Sequence, residues 1–109
     1  MQFVLISRHT DGSVVPEHQR AQNLKDMGEW LGLISAKIAI PIRGGKSVTA
    51  GGTEEYRGDV GGIIIFEADN LDQAVAIAKK SPGLKFGFTH EVLPEISMEQ
   101  AATAEVRKS

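Results

Sequence analysis

The sequence predicts a mixed α+β fold with the element order β-α-β, a glycine-rich excursion, and β-α-β. The first observation is that two strand-like segments, residues 2–9 and 61–68, carry apolar residues on both parities. The second is helical periodicity in residues 16–34 and 69–80. The third is period-two alternation in residues 35–42 and 84–94. Four strands with two helices on one face form a ferredoxin-like sandwich.

The composition excludes several classes of function. The chain has 109 residues, which suits one domain, and its net charge of −2 predicts no attraction to nucleic acid or to anionic membranes. It contains no cysteine, which excludes disulfides, thiolate nucleophiles and cysteine metal sites. Residues 1–10 read as a strand and not as a signal peptide, and no apolar run approaches the ~20 residues of a membrane helix. We therefore expect a cytoplasmic protein without a membrane partner.

The first helix is predicted from Pro16 to about Ile34, with Pro16 as its first residue. Trp30 is expected to pack at the edge of this helix. In the strand that follows, Pro41 cannot donate to a ladder, so this end is expected at a sheet edge. The stripe predicted to be buried consists of Ala21, Leu24, Met27, Leu31 and Ile34.

The second β-α unit begins with a strand over residues 61–68 that is predicted to be central and buried on both faces. Gly61 and Gly62 at its head predict a bulge or a close backbone approach. Asp69 or Asn70 is expected to cap the second helix. The buried stripe predicted for that helix is Leu71, Ala74, Val75 and Ala78.

The C-terminal segment is predicted to hold a last strand and a short helix. Ser97 and Gln100 have the spacing of a capping box at a helix start. We predict one domain over residues 1–96 and a helical tail over residues 97–109. The last strand, residues 84–94, is predicted to place on one face Leu84, Phe86, Phe88, His90 and Val92.

The glycine-rich segment, residues 44–62, resembles at first sight the end of a phosphate-binding loop. Gly45, Lys46 and Ser47 match the last residues of that motif, but Ile40 stands where the motif needs a glycine. No helix is predicted after Ser47 to bring its N-terminus to a phosphate. The segment is therefore predicted to be two glycine turns around a short strand or hairpin.

The second face of the predicted sheet also carries apolar residues, and two helices cannot cover both faces. A second copy of the chain, packed sheet against sheet, is the expected cover.

Residues 61–96, "GGIIIFEADNLDQAVAIAKKSPGLKFGFTHEVLPEI", resemble the YCII-related family. The N-terminal strand and the helix containing "MGEWLGLI" also fit, so the resemblance covers residues 2–96. It implies a dimeric α+β barrel with a cleft between the sheet and the helices or loops of the dimer. The residues that match the family outline are Gly61, Gly62, Asp69, Leu71, Ala74, Pro82, Glu91 and Val92.

The resemblance also implies a place for an active-site histidine. Some members are thought to use a histidine near the start of the first helix, paired with an aspartate, and His18 in "VPEHQRAQNL" is in a comparable position. The sequence departs from this pattern in two places. The segment "LGLISAKI" has no aspartate, and "AGGTEEYRGD" stands where one subgroup has "DGPF".

Two histidines are the candidate catalytic residues. His18 lies at the flank of the predicted helix stripe, where it can act as an acid or base. The alternative is an exposed or capping histidine. His90 shares the apolar face of the last strand, where it is either a ligand-facing group or a neutral histidine of the core or interface. His9 is expected at the surface.

The candidate ligand-binding residues are Ser7, Arg8, Tyr56 and Arg57. Glu54, Glu55 and Asp59 are expected in a solvated loop, and no histidine spacing in the chain is typical of a metal site. We expect no metal and no cofactor.

The sequence leaves three functions open. The first is a homodimer with a small-molecule cleft, the second a small cofactor-independent lyase, isomerase or hydrolase that uses histidine as acid or base, and the third an interaction module. The sequence has no basic stripe with interleaved aromatic residues, so we expect no nucleic-acid partner.

Overall fold

The computed structural model describes residues 1–10 and 12–108, with side chains through residue 103, so Ser109 of the predicted tail lies outside it. A four-stranded antiparallel sheet has the order β2-β5-β1-β6, and a separate two-stranded sheet pairs β3 with β4. This is the predicted ferredoxin-like fold with its extra hairpin. The strands are β1 Gln2–Arg8, β2 Ile38–Pro41, β3 Lys46–Thr49, β4 Gly52–Glu55, β5 Val60–Glu67 and β6 Thr89–Pro94; the helices are α1 Arg20–Leu33, α2 Leu71–Ala78 and α3 Met98–Lys108.

The core lies between the helices and one face of the sheet. Phe3 pairs with Phe66, and Leu5 pairs with Ile64, in the two central strands. Phe3, Leu5 and Phe66 are fully buried. Strand residues alternate between faces, so this register places every second residue of β1 and β5 against the helices.

Trp30 is the main contribution of α1 to this core. It is 5% exposed, whereas Leu24, which was predicted to be buried, is 75% exposed. Met27, Leu31 and Ile34 pack only partly against the core. The prediction for the stripe was wrong at its N-terminal end, since α1 packs against the core from Met27 onward.

The ends of α1 also differ in detail from the prediction. Pro16 precedes a 3₁₀ helix, Glu17–Gln19, and is not the first residue of the α-helix. At the other end, Ser35 adopts a left-handed conformation with φ 52°. The amide of Ala36 donates to the carbonyl of Leu31 over 3.1 Å, which is the bond of a Schellman motif. Together these features stop the helix before β2.

The stretch predicted as the first half of the last strand is a second 3₁₀ helix, Pro82–Phe86. Ser81 caps it by accepting from the amide of Gly83, and Gly87, at φ 93°, ends it. Strand β6 therefore begins at Thr89, and the prediction for residues 84–88 was wrong. The Pro-Gly start and the left-handed glycine outweigh the alternation of Leu84, Phe86 and Phe88.

The predicted bulge and caps are confirmed. Ser7 pairs with Gly62 and Arg8 with Val60, so Gly61 is the extra residue of β5. The side chain of Asn70, and not that of Asp69, accepts from the amide of Gln73 at the start of α2, over 2.8 Å.

Ser97 and Gln100 form a reciprocal capping box at the start of α3.

The stripe predicted for α2 is only half buried. Ala74 and Ala78 belong to the core, but Leu71 and Val75 are 46% and 36% exposed. These two side chains face a cavity beside β6 instead of the core.

Among the residues that the structure describes, no layer covers the second face of the sheet. Ile38 and Ile40 on edge strand β2, and Leu93 on edge strand β6, are 43%, 51% and 44% exposed. We call this surface the open sheet face; its apolar residues are Val4, Ile6, Ile38, Ile40, Ile63, Ile65 and Leu93. Within the described ranges, no helix has the length and hydrophobicity to cross a bilayer.

Candidate functional site

A cleft of about 320 Å³ lies where β1 ends, beside the two segments that join the β3–β4 hairpin to the sheet. We call it the β1-end cleft. Five kinds of polar group meet there: an imidazole, an aliphatic hydroxyl, a guanidinium, a phenol and a carboxylate. The polar residues that line it are His9, Thr10, Arg43, Tyr56 and Asp59.

Tyr56 is held in the wall of the cleft by two hydrogen bonds. Its amide donates to the carbonyl of Gly45 over 2.9 Å, which closes the base of the hairpin. Its hydroxyl oxygen accepts from the amide of Val60 over 3.2 Å. A methyl group on Gly58 would overlap the phenol ring, so glycine is the residue that lets the ring lie against the backbone.

His9 lines the cleft from the position immediately after β1. Its amide donates to the carbonyl of Asp59 over 2.8 Å. Its ring meets the ring of Phe88 edge to face, with centroids 4.7 Å apart. A methyl group on the bulged Gly61 would overlap the imidazole. The bulge therefore makes room for the His9 ring at the cleft.

Arg8 fixes the carboxylate of the cleft from the open sheet face. Its guanidinium donates to Asp59 Oδ1 over 2.6 Å and also to a carboxylate oxygen of Glu91 on β6. The hydrogen bond from Arg8 is the main reason that the pKa of Asp59 lies below its usual range. The electrostatic effect of His9 lowers this pKa further by a smaller amount. Asp59 is thus a charged, oriented group whose negative charge is compensated by Arg8.

The structure separates the predicted site residues. Tyr56 lines the β1-end cleft, and Arg8 contacts it through Asp59. Arg57 is exposed, and His18 is exposed on the first 3₁₀ helix. Ser7 pairs with Gly62 on the helix-covered side of the sheet. The catalytic and binding roles of these residues stay predictions.

His90 lies on that same helix-covered side, within a different set of contacts. Its Nδ1 is 3.0 Å from the carbonyl oxygen of Thr89, and its Nε2 is 2.8 Å from the hydroxyl of Ser81. Because a carbonyl only accepts, Nδ1 donates and Nε2 accepts from the Ser81 hydroxyl in the neutral ring. Burial lowers the pKa of His90, and the bond to Thr89 partly opposes this. The arrangement is that of a satisfied neutral histidine.

Sequence reasoning missed three residues of the cleft. His9 is exposed and Asp59 lies in an exposed loop, as expected, but neither was predicted to line a site, and Arg43 was not considered. The spacing of Gly58 and Gly61 around Asp59 was the available signal, because glycine marks places where another group approaches the backbone closely. The described residues contain no group of three or more histidine, aspartate or glutamate side chains arranged to hold a metal ion.

The fold and this cleft define a small ferredoxin-like domain with an open apolar sheet face and a polar cleft at a strand end. The sequence model of the YCII-related domain matches residues 1–94. The chain belongs to this family, as the resemblance indicated.

One solved structure with the same fold is 5-chloro-2-hydroxyhydroquinone dehydrochlorinase (TftG) from Burkholderia phenoliruptrix AC1100, in complex with 2,5-dihydroxybenzoquinone. The two chains are 18% identical with a TM-score of 0.61, and the match covers 92% of this chain and 98% of that chain. At this identity the likeness shows the fold. No curated protein matches the chain in sequence.

Proposed function

We propose that the protein is a homodimer whose β1-end cleft binds a small, oxygen-rich molecule. The observation that carries this proposal is the convergence of His9, Arg43 and Tyr56 on a cleft of about 320 Å³. That volume lies at the lower end of the range of small-molecule sites.

The lining favours an anionic or hydroxylated ligand. Arg43 offers only donors, and none of the ion pairs among the described residues involves it. Tyr56 and His9 add a hydroxyl and an imidazole, while the charge of Asp59 is already compensated by Arg8. Phenolates, enolates and carboxylates have the matching chemistry. The dihydroxylated ring bound by the similarly folded dehydrochlorinase is of this class.

The homodimer is supported by the open sheet face. Exposed apolar side chains that form a continuous sheet surface mark an interaction site. The radius of gyration is 16.0 Å, against about 13 Å for a compact chain of this length, so parts of the chain extend away from its core. A second copy packed sheet against sheet covers this face with matching apolar surface.

The binding proposal is tested by NMR titration of the protein with 2,5-dihydroxybenzoquinone. We expect saturable shifts at residues 9–10, 43–44 and 56–60. Arg43→Gln should weaken binding, and Arg57→Gln, at an exposed arginine between β4 and β5 that does not line the cleft, should leave it unchanged. Shifts spread evenly over the surface, or none, would contradict the proposal.

The dimer is tested by size-exclusion chromatography with light scattering. We expect the mass of two chains for the natural protein and of one chain for Ile40→Lys. Leu24→Lys is the matched control, because Leu24 is even more exposed but lies on α1. A monomeric natural protein, or a dimer lost equally in both variants, would count against the open sheet face as the interface.

An enzyme that uses histidine as acid or base is a second candidate, favoured by the position of His9 in the same cleft as Asp59. A histidine at the edge of a ligand cleft can take a proton from a phenol or a carbon acid. The test is chloride release from 5-chloro-2-hydroxyhydroquinone, the compound in the name of the similar structure. We expect release by the natural protein and its loss in His9→Gln. His18→Gln and His90→Gln test the predicted catalytic histidines in the same assay. Binding without turnover of this compound would leave the first proposal in place.

An interaction module, the third function, would be favoured by a stable dimer that binds no small molecule.

A further inference from the structure

A second cavity, of about 310 Å³, lies between α2, the second 3₁₀ helix and β6. We call it the α2–β6 cavity. It shares no residue with the β1-end cleft and has a different chemistry. Its walls are mainly aliphatic: Leu71, Val75, Leu84 and Val92.

Three of these side chains lie outside the core, whereas Val92 packs partly against it. Leu71 is 46% exposed, and Val75 and Leu84 are each 36% exposed. Removal of apolar surface from water is favourable, so a small apolar group can fill the cavity and bind there without disturbing the core.

Two nitrogen groups border the cavity. Lys79 follows the last turn of α2, and none of the ion pairs among the described residues involves it. His90 contributes its ring, but both ring nitrogens are already hydrogen-bonded to Thr89 and Ser81. The cavity therefore combines an aliphatic wall with one ammonium group that has no counterion there.

We propose that the α2–β6 cavity binds a small apolar carboxylate, with its hydrocarbon part against Val75 and Leu84 and its carboxylate at Lys79. The charge of Lys79 selects an anion, and the aliphatic wall selects a short branched or aromatic body. This site is independent of the ligand proposed for the β1-end cleft.

Trp30 provides a built-in reporter for this site. It is the single tryptophan of the chain. Its indole stacks on the imidazole of His90, with centroids 6.4 Å apart, and His90 lines the cavity. A ligand that contacts His90 changes the surroundings of the indole. We therefore expect a saturable change in tryptophan fluorescence on titration with isovalerate, with a dissociation constant on the order of 1 mM.

The charge is tested with an uncharged ligand of the same shape. Isovaleramide should bind about two- to fivefold more weakly than isovalerate, which is the range of an exposed ion pair. Lys79→Met should remove this difference. Lys80→Met is the matched control, since Lys80 borders the groove between α1 and α2 instead.

The space is tested by filling it. Val75→Phe should abolish the isovalerate signal, whereas Ala76→Phe, on the neighbouring residue that faces the groove between α1 and α2, should retain it. Circular dichroism checks that both variants are folded. Arg43→Gln, which impairs only the β1-end cleft, should bind isovalerate normally.

Three outcomes would overturn the proposal. The first is no saturable change in tryptophan fluorescence, and the second is an equal loss of this change in Val75→Phe and Ala76→Phe. The third is a fluorescence change that depends on the concentration of the protein and not on that of isovalerate. The last result would assign the cavity to a second copy of the chain.

Discussion

The indole of Trp30 and the imidazole of His90 lie nearly parallel, at 11°, with their centroids 6.4 Å apart. The indole nitrogen donates to the carbonyl of Ile77 on α2 over 3.2 Å, and His90 is bonded to Ser81 just after that helix. This pair therefore joins α1 to α2 and β6, which lie more than 30 positions further along the chain. The protonation state of His90 is consequently coupled to the packing of the helical layer.

The first prediction concerns pH. Burial lowers the pKa of His90 below its usual 6.5, so the unfolded chain binds more protons than the folded one as the pH falls below this value. The free energy of unfolding should therefore be highest at a pH above the usual histidine pKa. It should decrease as the pH falls through the lowered pKa of His90 in the folded protein. Urea unfolding at about pH 7.5 and about pH 5.5 measures this loss. We expect it to be smaller in His90→Gln.

The control for this prediction is His18→Gln, because His18 is exposed on the first 3₁₀ helix. It should keep the pH dependence of the natural protein. An unchanged dependence in His90→Gln would show that the buried imidazole is not its source.

The second prediction concerns Asp59. Because the hydrogen bond from Arg8 holds the pKa of Asp59 below its usual 3.8, Arg8→Gln should raise that pKa toward this value. The Arg8–Asp59 pair stabilises the fold fully at a pH above the usual carboxyl pKa. This stabilisation is lost as the pH falls through the lowered pKa of Asp59. NMR titration of the carboxyl carbon measures the shift directly.

Lys37→Gln is the comparison for this measurement. Lys37 and the N-terminal amine lower the pKa of Glu67, so this variant should raise the pKa of Glu67 and leave that of Asp59 unchanged. If the pKa of Asp59 were the same in Arg8→Gln as in the natural protein, the role of the Arg8–Asp59 pair would be refuted.

The third prediction concerns the core. Leu5 is fully buried between β5, β6 and the helices, so Leu5→Ala should lower the free energy of unfolding by about 3 kcal/mol. Leu24→Ala, at a residue 75% exposed, should change it by less than about 0.5 kcal/mol. Denaturant unfolding of both variants measures the difference. Similar losses would show that α1 buries Leu24 after all, as the helical stripe predicted.

The fourth prediction concerns the start of α2. Asn70→Ala removes the side-chain acceptor for the amide of Gln73 and should cost about 1 kcal/mol. Asp69→Ala removes a neighbouring polar side chain that does not cap the helix and should cost less. Thermal unfolding compares the two, and a larger loss in Asp69→Ala would reverse the assignment of the cap.

Local patterns predicted the elements whose stability is itself local. The capping box of Ser97 and Gln100 and the cap of α2 at Asn70 depend on residues that are neighbours in the chain. Where a second local signal competed, the prediction failed: alternation in residues 84–88 indicated a strand, but Ser81, Pro82 and Gly87 build a 3₁₀ helix.

The sequence by itself determined the order of the elements, the family and the apolar character of both sheet faces, because periodicity and turn residues act over a few positions. The tertiary structure decided the β1-end cleft. Arg8 meets Asp59 51 positions away and Glu91 83 positions away, and these contacts depend on the register of three strands and on one bulged glycine. Burial of Trp30 in place of Leu24 likewise depends on where α1 crosses the sheet. Such long-range geometry arises from packing and strand pairing, which no local pattern encodes.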